Sequence, residues 1–179
     1  MNPNTNLDIM ILPMDGDEAS GWKPGTPTAF LDTTAMESEP IFSPDGRWLA
    51  YVSNESGRPD VYVRPFPGPG GKRKISMASG VFPVWSRTKR ELFYTTGNGQ
   101  IMDAAYTVDG DSFQPEKPRI WGDWRTAGIA PLRMFDLHPD GERFALTPSV
   151  RTGGAKQDHL TLVFNLFDEL RRLAPETRP

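Results

Sequence analysis

The stretch that decides the fold is Pro40-Ile-Phe-Ser-Pro-Asp-Gly-Arg-Trp-Leu-Ala-Tyr51. At its centre, Ser43-Pro-Asp-Gly46 has the composition of a tight turn, because Pro presets φ at about −65°, Asp bonds its own backbone and Gly accepts a positive φ. Such a turn joins two antiparallel strands, which we predict at Pro40–Phe42 and Arg47–Ser53. The second strand is apolar without alternation, so we expect neighbouring sheets to cover both of its faces.

The same pattern occurs twice more along the chain without gaps. The second copy is Pro83-Val-Trp-Ser-Arg-Thr-Lys-Arg-Glu-Leu-Phe-Tyr94, and the third is Phe135-Asp-Leu-His-Pro-Asp-Gly-Glu-Arg-Phe-Ala-Leu146. A shorter match joins Asp8–Pro13 to Asp60–Pro65. The copies begin about 40 to 50 residues apart, which is the period of a β-propeller blade.

The repeat predicts an all-β chain that forms a partial β-propeller, about three to three and a half four-stranded antiparallel blades with a short C-terminal helix. We place one domain over 1–179, divided into a partial blade 1–35, a blade 36–80, a blade 81–128, a last partial blade 129–164 and a helix 165–174. The first partial blade has strands at Leu7–Leu12 and Thr28–Leu31. Later strands of the two whole blades are predicted at Asp60–Arg64, Arg73–Met77, Val84–Ser86, Glu91–Thr95, Gln100–Val108 and Pro118–Trp121.

Three features of this plan lead to further expectations. The second copy replaces Pro-Asp-Gly with Arg87-Thr88-Lys89, and a left-handed Lys89 would cost about 1 kcal/mol. Closed propellers usually have about four to eight blades, so an open arc would expose blade edges and favour self-association. In the final helix, an apolar stripe over Leu166–Leu173 is expected to plug the ring or cover the last blade, or alternatively to dock a partner.

Composition excludes several classes of function. The 179 residues carry a net charge of −3, and the Lys72-Arg73-Lys74 cluster is too short for a nucleic-acid surface. The chain has no cysteine, which excludes disulfides, thiol catalysis and Cys-based zinc sites. The longest apolar run, Leu160–Phe167, is too short to cross a bilayer, so we expect no direct membrane insertion.

Several motifs resemble functional sites but lack the spacing that the chemistry needs. His138 and His159 are the only histidines and have no positioned carboxylates. The runs Asp15–Glu18 and Asp109–Asp111 lack the ligand spacing and final Glu of an EF-hand, so we interpret both as hairpin turns. In Gly68–Lys72 the first Gly of a phosphate loop and its Ser or Thr are missing.

The remaining candidates also favour structural roles. Asn54-Glu55-Ser56 matches a glycosylation sequon but has the composition of a turn. No Gly-x-Ser-x-Gly elbow occurs, and aromatic side chains are predicted to pack between blades at Phe42, Trp48, Trp85, Phe93 and Phe144. We therefore predict no catalytic, cofactor-binding or metal-ligating residue, and no enzyme activity in this chain.

The repeat resembles the WD40-like repeat of the TolB family, whose signature is approximately P-x-[FW]-S-P-D-G-x-x-[IL]-[AF]-[FY]. The chain is more similar to the C-terminal propellers of bacterial membrane-anchored serine/threonine protein kinases, through Tyr51–Arg58, Val61–Lys72, Trp85-Ser86, Arg90–Tyr94 and Asn165–Leu173. This resemblance implies a non-catalytic scaffold that binds a protein or small ligand through a propeller face, in an extracytoplasmic or periplasmic location. The kinase motifs themselves are absent from this sequence, so no kinase residue is carried over.

Two other functions are compatible with the repeat. One is a TolB-like periplasmic propeller that docks envelope partners. The other is the gating propeller of a peptidase resembling prolyl oligopeptidases, in which a hydrolase domain normally follows the propeller. The sequence immediately upstream distinguishes these alternatives from a kinase-associated propeller.

Overall fold

The computed structural model describes residues 7–126 and 132–148, which belong to one compact unit within Met1–Ser149. Over these residues the chain forms β-strands that pair only in the antiparallel sense, and the described part contains no helix. The predicted all-β class is therefore confirmed. The predicted helix 165–174 and the last part of the segment 129–164 lie outside the described residues.

The first sheet, sheet I, pairs β1 (Ile9–Ile11) with β4 (Thr28–Leu31), as the sequence predicts. Between them lies a hairpin whose strands, β2 (Met14–Asp17) and β3 (Gly21–Pro24), were not predicted, although Asp15–Glu18 was interpreted as a hairpin turn. Both strands of this hairpin are exposed and have no apolar alternation, which is why no strand was expected there.

Sheet II contains β5 (Glu37–Phe42), β6 (Trp48–Ser53), β7 (Asp60–Pro65) and β8 (Arg73–Lys74), in that spatial order. The outer strand is shorter than the predicted Arg73–Met77. It ends because Ser76 turns its hydroxyl toward β7, where Oγ accepts the Val61 N–H at 3.0 Å.

The turn between β5 and β6 has the predicted chemistry. Gly46 adopts a φ of 70°, and the Ser43 hydroxyl accepts the Trp48 N–H at 3.0 Å while donating to the Asp45 carboxylate. The turn residues thus satisfy their own polar groups and set the register of the hairpin.

Sheet III is formed by β9 (Val81–Trp85), β10 (Glu91–Thr95), β11 (Gln100–Asp109), β12 (Ser112–Pro115) and β13 (Arg119–Arg125). The long strand β11 pairs with β13 along its first half and with β12 along its second half. The extra strand β12 was not predicted. It forms because β11 continues beyond the sheet and folds back, which buries Phe113.

The turn between β9 and β10 does not carry the strain considered for Lys89. Among the described residues other than Gly, only Glu39 and Phe82 have a positive φ, so Lys89 is not left-handed. Instead, the Ser86 hydroxyl accepts the N–H groups of Thr88 and Lys89, at 3.4 and 3.1 Å. A Ser-based turn replaces the Pro-Asp-Gly turn without needing Gly.

Sheet IV is the hairpin of β14 (Phe135–Leu137) and β15 (Phe144–Leu146). Its pairing is the same as in the hairpins β5–β6 and β9–β10, because the equivalent pairs are Ile41–Ala50, Val84–Phe93 and Asp136–Ala145. The hydrogen bond that closes each turn is also equivalent, running from Ser43 to Trp48, from Ser86 to Glu91 and from His138 to Arg143. Three segments that align in sequence thus form hairpins with one register.

Sheets I to IV pack face to face in chain order. Strand β6 is buried along its whole length, and its two faces contact different sheets. One face packs against sheet III through Trp48, Ala50 and Val52. The other packs against sheet I through Leu49 and Tyr51. The expectation that this strand is covered on both sides is confirmed.

Strand β10 repeats this arrangement one sheet further along. Leu92 and Tyr94 face sheet II, whereas Phe93 packs against Phe135 and Leu137 of sheet IV. Hydrophobic burial between successive sheets is therefore the main stabilising contribution to the stack.

The aromatic residues predicted to fill these interfaces are only partly in them. Trp48, Trp85 and Phe93 are buried, and Phe144 is half-buried against Phe93. Phe42 is 45% exposed, so its predicted place in the core is wrong. It lies at the end of the edge strand β5, where its ring packs edge-on against Phe66.

Candidate functional site

The first strands of the three equivalent hairpins, β5, β9 and β14, lie side by side, each at an edge of its own sheet. Side chains bridge these edges from one sheet to the next. Trp85 Nε1 donates to the Ile41 carbonyl at 3.1 Å, and Arg133 Nη2 donates to the Pro83 carbonyl at 3.4 Å. The bridges fix three edge strands around a common space.

Residues Glu39 and Phe82 form another bridge at equivalent positions, directly before Pro40 and Pro83. Both have a left-handed φ, 55° and 57°, a conformation that costs about 1–2 kcal/mol in a non-Gly residue. The Phe82 N–H donates to the Glu39 carboxylate. Burial raises the pKa of Glu39, although this hydrogen bond and the charge of Arg133 partly offset the effect.

A cavity of about 530 Å³ lies between the three first strands. This volume is in the range of small-ligand sites, about 300–1,000 Å³. Its walls come from equivalent positions of the three hairpins, namely Ile41, Val84 and Asp136 together with Phe42, Trp85 and Leu137. We call this space the three-strand cavity.

The following turns complete the three-strand cavity, again from equivalent positions, with Pro44, Arg87 and Pro139. The exposed ring of Phe42 stands at its opening and packs edge-on against Phe66, with centroids 4.8 Å apart. A further depression of about 470 Å³ runs along β14 and β15 alone and does not involve the other two hairpins.

Two charged side chains interrupt the apolar lining of the three-strand cavity. Arg87 is exposed and has no hydrogen bond or ion pair to any residue that the structure describes. Asp136 is also exposed, and among the described residues its Oδ1 accepts the Leu137 N–H at 3.0 Å and no other hydrogen bond. Within the described ranges, no ion pair joins the two groups, and both side chains are exposed.

The other motifs noted in the sequence have structural partners. Asp17 caps the turn of the β2–β3 hairpin by accepting the Ser20 N–H at 2.7 Å, and Asp109–Asp111 turns between β11 and β12. The run Asp109–Asp111 forms the predicted hairpin turn, whereas Asp15 to Asp17 lie in strand β2 and only Glu18 of that run is in the turn. His138 follows β14, where its Nδ1 lies 2.9 Å from Asp140, whereas His159 is outside the described residues.

The glycine-rich loop and the sequon also lie in connections between strands. Lys72 forms an ion pair with Glu55 and stands over the Tyr62 ring, so its charge is already engaged. Asn54 accepts the Met36 N–H at 2.9 Å in the turn after β6. Within residues 7–126 and 132–148, no three His, Asp or Glu side chains cluster as metal ligands. No helix in those ranges has the length and hydropathy that crossing a membrane requires.

Sequence reasoning missed the three-strand cavity, although a signal for it was present. Aligning the copies places Arg87 opposite Pro44 and Pro139, and Asp136 opposite Ile41 and Val84. The only charged cavity positions are thus departures from an otherwise apolar pattern. What the alignment lacked was the knowledge that these positions share one space.

Comparison with known proteins gives one partial similarity. No family model matches the chain. An 82-residue segment, 44% of the chain, is 29% identical to the uncharacterized peptidase YuxL of Bacillus subtilis (strain 168). The segment spans 12% of the length of that protein.

Proposed function

We propose that the chain is a piece of a β-propeller, with blades at 36–80 and 81–128 and partial blades at 1–35 and 129–164. The supporting observation is the common register of three hairpins whose first strands lie together while their sheets stack in chain order. Stacked antiparallel sheets with neighbouring first strands are the arrangement of propeller blades around an axis.

In this proposal the chain is a non-catalytic binding module, and the three-strand cavity is its ligand site. The cavity has the volume, apolar walls and few polar groups that are typical of binding sites. The resemblance to kinase-associated propellers supports the proposal that the module is the extracytoplasmic part of a longer receptor-like serine/threonine kinase. A TolB-like periplasmic propeller would use the same cavity to dock a partner.

A second candidate function is the gating propeller of a peptidase. The partial similarity to YuxL, which is named as a peptidase, favours it. The 179 residues contain no Gly-x-Ser-x-Gly nucleophile elbow, so in this alternative the peptidase active site lies in another part of the parent protein. In that role the chain would restrict access to the active site without taking part in the chemistry.

A thermal-shift screen of peptides and metabolites against the full chain tests the binding function. We expect at least one compound to raise the Tm of the wild type but not of a Phe42→Ala/Arg87→Gln double variant, because a ligand stabilises only the state that binds it. Arg73→Gln removes an exposed positive charge outside the cavity and serves as the control. Equal shifts in wild type and double variant would contradict the cavity as the site.

The coding sequence on both sides of this segment distinguishes between the parent proteins proposed for it. A kinase domain upstream supports the receptor-like kinase, and a hydrolase domain with a nucleophile elbow downstream supports the gating propeller. A TolB-like N-terminal domain upstream would contradict both the receptor-like kinase and the gating propeller.

A further inference from the structure

The two charges of the three-strand cavity are not required by the fold. Equivalent positions of the other hairpins are filled by Pro44 and Pro139, opposite Arg87, and by Ile41 and Val84, opposite Asp136. Both charged side chains are exposed and make no ion pair with a described residue. A purely structural lining would therefore be apolar at these places as well.

Arg87 defines one half of the ligand chemistry. A guanidinium presents a planar fork of donors that matches a carboxylate in a bidentate pair. The surrounding walls of Phe42, Trp85 and Leu137 would take an apolar group beside that carboxylate. The ligand is thus expected to combine an anionic end with an apolar body.

Asp136 defines the other half. A carboxylate accepts hydrogen bonds and repels a second anion, so a simple fatty acid would leave this group facing an apolar chain without a donor. A ligand that carries an N–H group beside its carboxylate satisfies both Arg87 and Asp136. α-Amino acids and the last residue of a peptide share this arrangement.

Resting on the proposed binding function, we propose that the three-strand cavity binds an apolar α-amino carboxylate. The ligand is either a free amino acid or the carboxyl-terminal residue of a peptide. Arg87 pairs with the carboxylate, Asp136 accepts a hydrogen bond from the α-nitrogen, and the apolar walls contact the side chain.

Four probes with the same benzyl side chain test this chemistry by isothermal titration calorimetry on the full chain. Phenylalanine represents the free amino acid, and N-acetylphenylalanine represents the end of a peptide. N-acetylphenylalaninamide lacks the carboxylate, and 3-phenylpropionate lacks the nitrogen. We expect one or both of the first two to bind with a Kd of about 1 mM or tighter, and the last two at least about tenfold more weakly.

The pattern of binding decides between the sources and can overturn the proposal. Binding of N-acetylphenylalanine alone identifies a peptide end, and binding of phenylalanine alone identifies a free amino acid. The proposal would be overturned if N-acetylphenylalaninamide or 3-phenylpropionate bound as tightly as phenylalanine or N-acetylphenylalanine. It would also be overturned if none of the four probes bound.

Variants locate the interaction. Arg87→Gln and Asp136→Asn should each weaken binding by about tenfold, whereas Arg73→Gln and Asp109→Asn, exposed and outside the cavity lining, should leave it unchanged. Circular dichroism of each variant confirms that the β-structure is retained. If none of the four probes binds while another compound raises the Tm in the thermal-shift screen, the proposed amino-carboxylate ligand is wrong but the proposed binding function is supported.

Discussion

Asp60 has no exposed surface, yet its carboxylate lies among three donors at the start of β7. Lys74 Nζ is 2.6 Å away and Ser76 Oγ is 2.7 Å away, and the Ser56 hydroxyl also donates to it. Burial opposes ionisation, but these hydrogen bonds outweigh it and lower the pKa of Asp60 below its ordinary value. A charged, hydrogen-bonded carboxylate therefore ties β7 to β8 and to the loop before them.

This lowered pKa predicts a dependence of stability on pH. The ionised form stabilises the fold above the unfolded-state pKa of about 3.9, and that contribution is lost as the pH falls through the folded-state value. Asp60→Asn should lower the free energy of unfolding by about 2 kcal/mol at pH 7. In urea denaturation, the difference from wild type should shrink between pH 4 and pH 2.

Asp109→Asn, an exposed carboxylate at the end of β11, is the control and should behave as wild type at every pH. A difference between Asp60→Asn and wild type that stays constant down to pH 2 would show that the charge of Asp60 does not stabilise the fold.

At the level of single elements, the turns of the aligned hairpins follow different chemistry. Gly46 has a φ of 70°, whereas Lys89 at the equivalent position is not left-handed. Gly46→Ala should therefore lower the free energy of unfolding by about 1 kcal/mol. Lys89→Gly should lower the free energy of unfolding slightly, because glycine increases the conformational entropy of the unfolded chain and relieves no strain in the folded one. A gain in stability for Lys89→Gly in thermal denaturation would contradict this description of the turn.

The connection from β8 to β9 requires glycine at position 80. A Cβ on Gly80 would lie 2.7 Å from the Ser76 Cβ and 3.0 Å from the Tyr94 ring, in the contact between sheets II and III. Gly80→Ala should lower the free energy of unfolding by about 1–3 kcal/mol, because the packed sheets would have to separate.

Gly71→Ala is the matched control, since a Cβ there meets no atom within 4 Å. Equal urea midpoints for the two variants would mean that the sheets are not packed closely at Gly80.

The elements that the sequence predicted are those whose signals are local. The turn at Ser43–Gly46 and the apolar run of β6 each depend on consecutive residues, so their positions could be predicted. The exposed β2–β3 hairpin and the short strand β12 have no continuous apolar run, so no local signal marks them. The exposure of Phe42 and the presence of Arg87 and Asp136 in one cavity depend on how separate hairpins approach each other, which no local pattern contains.

On the scale of the whole molecule, the N-terminal strands β1, β2 and β3 and their connections expose large apolar side chains. Met10, Leu12, Met14 and Trp22 are each at least 40% exposed, and so are Ile120 and Trp124 on β13. Such surfaces on neighbouring strands favour association between copies. We expect the isolated chain to form dimers or larger species as its concentration rises, measured by light scattering after size-exclusion chromatography. A monodisperse monomer over the micromolar range would contradict this.

The most direct test of the whole account is an experimental structure of the chain, in which the segments starting at Pro40, Pro83 and Phe135 are superimposed in turn. We predict that one rotation axis carries the first hairpin onto the second and the second onto the third, with β5, β9 and β14 nearest that axis. Two unrelated axes, or hairpins with different registers, would contradict the proposed ring of blades and the cavity at its centre.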